Sequence, residues 1–421
     1  MRTLNVLFLL ALAVPLHATD WSQWRMAAKQ SRVEQYLGRE SLLLDGAAWL
    51  DSANFRDGTI EFDVAAPGVT AFHGVAFRAA DDGNFELFYL RYHLSDKPDA
   101  TQYTPVFNGI WGWQIYSDTR YTQPATIAPD RWVHVELRVR GSAMQVLVDG
   151  KPLVFPHLVR PPAAGGIGLM TGITPAHFTN VVVRPDVAAF EEKDTAPALP
   201  AGTIARWRVS NTFAEGKPPA ALQWDALDSG DTGIANLASL RKWSKENNTV
   251  FAAVTLHAKK AGEARLKFGY SDRVVITVNG RVLYRGNSAF QARDHSFLGT
   301  VGLFDELVLP LVRGDNEVRF AVSENFGGWA VAAQLVENPD VGIAAAQLGS
   351  RAGTLWHRSA GSTSPMRTRQ RSPAASATAS PTAARTTPRS IRPTAATSTA
   401  SSARPRPSAA TTSSRSRASK N

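Results

Sequence analysis

The chain has 421 residues, no cysteine and a formal net charge of +10. Without thiols, disulfides, thiol catalysis and thiolate metal sites are excluded, so any domain must stand on its apolar core. The charge misleads: no Asp or Glu follows Asp340, and taking the thirteen Lys and Arg from Arg351 onward out of +10 leaves about −3 for everything before. A near-neutral body excludes a nucleic-acid footprint.

The length suffices for two ordinary domains. Thirty-one glycines and 25 prolines, with little helical periodicity, predict turn-rich β structure. The eleven tryptophans suit buried cores, yet their flat apolar faces are also what sugar-binding sandwiches use. Residues 1–18 begin with Met1-Arg2, run apolar over 4–16 (LNVLFLLALAVPL) and reach the small residue Ala18. That run is too short to span a bilayer comfortably and predicts a secretory signal peptide cut before Thr19. The expectation is an exported protein, periplasmic or extracellular, with no membrane span after signal removal.

Residues 19–188 read as short strands between turns. In GTIEFDVAA, Ile60, Phe62 and Val64 alternate with Thr59, Glu61 and Asp63; in RWVHVELRVR, Val133, Val135, Leu137 and Val139 alternate with polar residues. Asp149-Gly150 is a hairpin turn signal, and GGIGLMTG and AHFTNVVVRP supply two more strands. Period-two alternation of this kind predicts an antiparallel sandwich. The succession DGTIEFDV, FHGVAFR, RWVHVELRV with VLVDGK, then GGIGLMTG with AHFTNVVV resembles the laminin-G-like members of the concanavalin A-like lectin/glucanase superfamily. It is also similar to the domain assigned to 3-keto-disaccharide hydrolases. The matching positions are mostly strand and turn positions, so the resemblance implies a fold more than an activity.

Glucanases of that superfamily carry paired carboxylates on one strand as Glu-x-Asp-x-(x)-Glu. Here Glu61-Phe62-Asp63 begins the pattern, but Val64, Ala65 and Ala66 follow and the second glutamate is missing. Glu61 and Asp63 are therefore read as solvent-face residues of a structural strand. Residues 84–116 (NFELFYLRYHLSDKPDATQYTPVFNGIWGWQIY) are dense in aromatics with interleaved polar groups. Rings that stack on sugar C–H faces, beside planar groups that bond hydroxyl pairs, suit a saccharide site. Arg91, His93, Asp99, Gln102 and Trp113 are its candidate contacts. A long loop fastened to the sandwich by its own aromatics is the competing reading.

A Pro/Ala/acid-rich linker is expected at 189–200, then strands again over 201–338. Asn279-Gly280 is the strongest hairpin signal of the chain, and Gly314-Asp315-Asn316 marks another turn. VVITVNGRVLYRG and LPLVRGDNEVRFAVSENFGGW resemble the galactose-binding-like jelly-roll modules attached to many bacterial glycosidases and esterases. The binding residues of such modules lie in variable loops, so candidates here rest on chemistry alone: Arg293, Asp294, His295 and Asn325, with Trp329 favoured for packing. From 349 to 421 Arg, Ala, Ser, Thr and Pro take over, predicting a disordered basic tail. A polyanion-binding arm, a wall linker and translation in a shifted frame compete for it; the sharp onset and the loss of every acid favour the last.

No nucleophile elbow, phosphate loop or dinucleotide fingerprint occurs, and the histidines show no metal-ligand spacing. No cofactor is implied with certainty. Calcium stays open because such sandwiches often hold it, with Asp81, Asp82, Asp96 and Asp99 as loop acids able to contribute. The sequence thus predicts an all-β chain of two consecutive β-sandwiches whose partner is a glycan or polysaccharide, bound without catalysis. A hydrolase of the 3-keto-disaccharide type would instead place a carboxylate pair near Arg91 and His93. A structural or adhesion module would have no concave polar-aromatic site. The oligomeric state is left open.

Overall fold

The computed structural model describes residues 19–191 and 198–344, all within one compact unit. The expected signal peptide, the middle of the expected linker and the expected tail lie outside the described residues. Among the described residues the chain is β structure, relieved by three single-turn 3-10 helices at Trp21–Gln23, Tyr92–Leu94 and Leu237–Ser239.

The first strand set comprises β1 (Arg25–Tyr36), β2 (Arg39–Phe55), β3 (Gly58–Ala65), β4 (Phe72–Asp81), β5 (Asn84–Arg91), β6 (Thr101–Phe107), β7 (Ile110–Trp111), β8 (Thr122–Gln123), β9 (Val133–Arg140), β10 (Ala143–Val148), β11 (Lys151–Phe155), β12 (Gly165–Gly172) and β13 (Ala176–Arg184). They form one antiparallel sheet in the order β11-β10-β9-β3-β13-β2-β12-β4-β5-β6-β7, with β1 added to β2 and β8 to β6. The 17-residue β2 makes a sandwich of this single sheet. One of its edges pairs with β1 along its first eleven residues. The other edge takes β13 at Leu42–Leu44 and then β12 from Ala47 onward. The chain changes leaf between them, at Gly46. Its φ of +138° and its closeness to Ala28, whose Cα would lie 2.5 Å from any added Cβ, admit only glycine.

The two leaves close on one core. Ile60, Phe62 and Val64 from one leaf and Val75, Phe77 and Phe88 from the other are fully buried together, and Phe88 meets Phe155 edge to face at 5.7 Å. The Asp149-Gly150 and Asn279-Gly280 hairpins form as the sequence predicts. Each pair has positive φ at both residues, the backbone that best matches strand twist.

Two readings of the first set are corrected. Residues 84–116 are not a long loop: β5 and β6 pair over six residues inside the sheet. Nor is Asp63 an open solvent-face residue. Its side chain is 9% exposed and holds Arg39 (2.6 Å), His134 (2.7 Å) and Asn180 (2.6 Å), while Glu61 pairs with Arg184. The polar face of β3 is roofed by long cationic and amide side chains that alternation alone does not reveal.

The second set comprises β14 (Arg206–Ser210), β15 (Trp224–Asp228), β16 (Ile234–Asn236), β17 (Thr249–Ala258), β18 (Gly262–Ser271), β19 (Arg273–Val278), β20 (Arg281–Asn287), β21 (Asp305–Leu311), β22 (Gly314–Ser323), β23 (Ala330–Leu335) and β24 (Val341–Ile343). One sheet runs β15-β14-β17-β22-β19-β20 with β24 on β17, the other β16-β23-β18-β21. Phe268 of one sheet meets Phe320 of the other at 6.0 Å in a shared core. Trp329 is fully buried there and donates its indole N–H to the Val322 carbonyl at 3.1 Å.

Gln114 fastens the two sets together. Its side chain accepts from the Ser271 hydroxyl (3.0 Å) and donates to the Leu298 carbonyl (2.9 Å), and its main chain bonds Gly327 and Val301. A Cβ on Gly299 or Gly327 would strike it, at 2.2 and 2.4 Å, so glycine is what lets this buried amide dock.

Candidate functional site

Along β5, side chains alternate between two environments. Phe88 and Leu90 enter the sandwich core, whereas Phe85, Leu87, Tyr89 and Arg91 face outward beside Trp49, Phe72 and Trp111. This outer face forms one wall of a cleft of about 820 Å³, whose opposite wall comes from the second strand set. Seven aromatic side chains line it, including Trp111 and Trp113 from one side and Trp243, Phe290 and Phe326 from the other.

The polar groups on the first wall are held by one network. Arg91, buried on β5, donates from Nη1 to Asp99 at 3.0 Å and from Nη2 to the Tyr89 hydroxyl at 3.2 Å and to Gln102 Oε1. Tyr89 also donates to Gln102 Oε1, and the Gln102 amide donates to the main-chain carbonyls of Trp113 (3.0 Å) and Tyr116. Gln102 thus lies beneath the cleft rather than in it, fixing Arg91 and the Trp113 segment. The Arg91 Nε–H keeps no protein partner. His93 accepts the Ala71 N–H at Nδ1 (3.4 Å), which puts the proton of the neutral ring on Nε2. Burial, then the nearby Arg91 charge, hold its pKa below the usual imidazole value.

The second wall carries two acids absent from the sequence reading. Glu324, 2% exposed, follows β22 and lines the cleft; Asp272, fully buried, follows β18. Asp272 accepts from the main-chain N–H groups of Asn325 (2.7 Å) and Phe326 (2.9 Å) and from Ser271 (3.2 Å). Glu324 has one long bond, from the Gly328 N–H at 3.3 Å, and its Oε2 has no protein partner. Burial first, and the Asp272 charge second, push the Glu324 carboxyl well above the usual carboxylate range. A single Glu in a strand run carries no sequence signal of such a place, because its neighbour Asp272 lies about fifty positions away.

At the rim, Trp113, Phe290 and Phe326 meet pairwise near edge-on at 6.0 to 6.3 Å. Phe290, Phe326, Leu298 and Ile173 are exposed there, and Ile173 sits at φ +75°, costly for a β-branched residue.

Of the candidates read from the sequence, the structure gathers Arg91, His93, Asp99, Trp113 and Asn325 in this one cleft, with Gln102 below. Arg293, Asp294 and His295 do not join them. Arg293 pairs with Asp305, Asp294 accepts from Ser296 and the His295 carbonyl accepts from Gln291. Their loop contributes its apolar residues Phe290 and Leu298 instead. The loop acids considered for calcium do not fit an ion. Asp81 bonds Gly83 and Asn84, Asp82 pairs with Arg25, Asp96 accepts from Thr126 and Asp99 is taken by Arg91. Among the described residues no three acids or histidines converge.

No family model matches the chain, and no curated protein matches it. Solved structures similar to part of it include the carbohydrate binding module CBM66 of Bacillus subtilis, 18% identical, covering 38% of this chain and 95% of that one with a TM-score of 0.29. A Bacillus subtilis protein of unknown function with a galectin-like fold is 13% identical, covering 40% and 92% with a TM-score of 0.31. A Bacillus licheniformis β-glucanase is 13% identical, covering 39% and 92% with a TM-score of 0.28. Likeness at this level assigns no activity to the chain.

Proposed function

We propose that the cleft binds a saccharide and that the chain is an exported glycan-binding protein. The observation that carries this reading is the cleft itself: about 820 Å³, walled by seven aromatic side chains, with Arg91 locked in place beneath them. Aromatic faces stack on sugar C–H surfaces, and a few oriented polar groups read the hydroxyls. A spacer or adhesion role without a ligand predicts no such concave site, and the cleft counts against it.

The test is an oligosaccharide array probed with the full chain and with Trp113→Ala. The Gln102 amide bonds the main-chain carbonyl of residue 113, so the substitution removes the ring and leaves that anchor. Loss of an aromatic stacking contact costs about 2 kcal/mol, roughly a thirtyfold rise in Kd. Binding that survives the substitution unchanged counts against the cleft.

A second reading, hydrolysis of a glycoside of the 3-keto-disaccharide type, is favoured by one observation. Asp99 and Glu324 both line the cleft that Arg91 and His93 line, the first beside a guanidinium and the second buried on the opposite wall, with its pKa pushed up by burial. Two carboxyls in opposed environments are the requirement of acid–base glycoside cleavage. Release of new reducing ends by the wild-type chain, abolished in Glu324→Gln, is the result this reading expects.

A further inference from the structure

We propose that Glu324 meets the ligand as an uncharged carboxylic acid, donating a hydrogen bond from Oε2 to a saccharide oxygen, and that the cleft therefore selects neutral rather than acidic saccharides. This rests on the glycan-binding reading and adds to it the donor and the substrate class.

The geometry assigns the proton. Glu324 is pinned at its main chain: its N–H donates to the Asn248 carbonyl at 2.9 Å, and its own carbonyl accepts from the Trp243 indole and the Asn248 amide, both at 3.2 Å. Asp272 beside it receives two main-chain N–H donors at 2.7 and 2.9 Å, whereas Glu324 receives one at 3.3 Å. When two buried carboxyls adjoin, the better-solvated one keeps the charge and the other keeps the proton. Burial lifts the pKa of both groups. The nearby cation, Arg273, is engaged by Glu215 at 2.8 Å. No protein group donates to the buried Oε2, as befits an oxygen that carries its own proton.

The rest of the cleft agrees in charge. Across from Glu324, Arg91 is neutralised by Asp99, and His93 is a neutral ring with Nε2–H as donor. Arg91 Nε–H is a further donor without a protein partner. The walls therefore offer donors but no unpaired cation. Ether, hydroxyl and carbonyl oxygens of a neutral sugar satisfy such a set, whereas a uronate would have to shed its hydration with no countercharge to replace it.

The experiment uses the full chain, Glu324→Gln and Glu324→Ala on an array holding neutral and uronic-acid oligosaccharides, followed by calorimetric titration of the best binder from pH about 5 to about 9. Glutamine reproduces the neutral acid, with a donor and no charge. The expected result is a neutral best binder. Wild-type affinity should fall by about tenfold or more as Glu324 ionises, Glu324→Gln should stay within a few-fold of the low-pH wild type at every pH, and Glu324→Ala should be weak throughout. Preference for uronates, a flat wild-type profile, or Glu324→Gln as weak as Glu324→Ala overturns the inference while leaving glycan binding intact. Should no saccharide bind at any pH, the glycan reading fails. Carbon NMR of glutamate-labelled protein, with the Glu324 signal assigned by its loss in Glu324→Gln, then tests the proton alone. A Glu324 carboxyl that titrates in the ordinary range refutes the proposal, and one still protonated at neutral pH sustains it.

Discussion

Glu86→Gln should flatten the decline in stability of this protein as pH rises through neutrality. Glu86 lies on the core side of β5, fully buried between the leaves. The Tyr103 hydroxyl donates to one of its oxygens and the other has no partner. Two arginines lie near but are engaged elsewhere. Arg78 bonds Arg56 O (2.6 Å), Asp57 (2.9 Å) and Gly141 O (2.8 Å), and Arg160 bonds Val106 O (2.9 Å). Burial, opposed by Tyr103 and the arginine charges, pushes the Glu86 carboxyl up to about 7. The folded state thus holds this proton more tightly than the unfolded chain, where the group titrates near 4.5. The resulting stability is fully present below 4.5 and is lost as pH rises through about 7. At about 1.4 kcal/mol per pH unit, that interval amounts to roughly 3 kcal/mol. Glutamine cannot ionise and still accepts from Tyr103, and the fixed cost of burying its amide is the same at every pH. Urea unfolding of both proteins at pH about 4 and about 8 measures the difference. Wild type should lose about 3 kcal/mol more than Glu86→Gln between the two, because Asp272 and Glu324 contribute equally to both proteins. Equal losses would refute the assignment of a buried, titrating Glu86.

Arg91→Lys should weaken binding of the array-identified saccharide by about tenfold or more, since one ammonium cannot replace a fork that bonds Asp99, Tyr89 and Gln102 together. Unchanged affinity by calorimetry would remove Arg91 from the site. Asp63→Asn should destabilise the fold by about 2 kcal/mol at neutral pH without touching affinity. Burial works against the Asp63 charge, but the His134 and Asn180 bonds and the Arg39 charge outweigh it and hold its pKa below the usual value. Its contribution is therefore present above the ordinary aspartate range and fades as pH falls through the lowered value, so wild type and variant should converge in acid. A constant gap across pH, measured by denaturant unfolding, would contradict this.

Strand existence was legible in the sequence because the physics is local. Alternation over residues 58–65 and 133–140, and Asn-Gly or Asp-Gly at 279–280 and 149–150, are read by neighbouring residues within one hairpin. The aromatic and polar density of residues 84–116 likewise marked Arg91, His93, Asp99 and Trp113, all of which line the cleft. Less local matters needed the tertiary structure. Whether β5 and β6 are loop or sheet depends on β4 and β8 lying alongside them, and Asp63 is covered by Arg39, 24 positions away. The second wall is the clearest case. Glu324 and Asp272 are ordinary acids in the chain, and they become a buried pair only because β22 and β19 are neighbours in one sheet. Gln114 then fastens the second strand set against the first sandwich, 157 positions from Ser271. Periodicity encodes which face of a strand turns inward; it does not encode which distant strand covers the other face, and that pairing creates the cleft and retains the proton on Glu324.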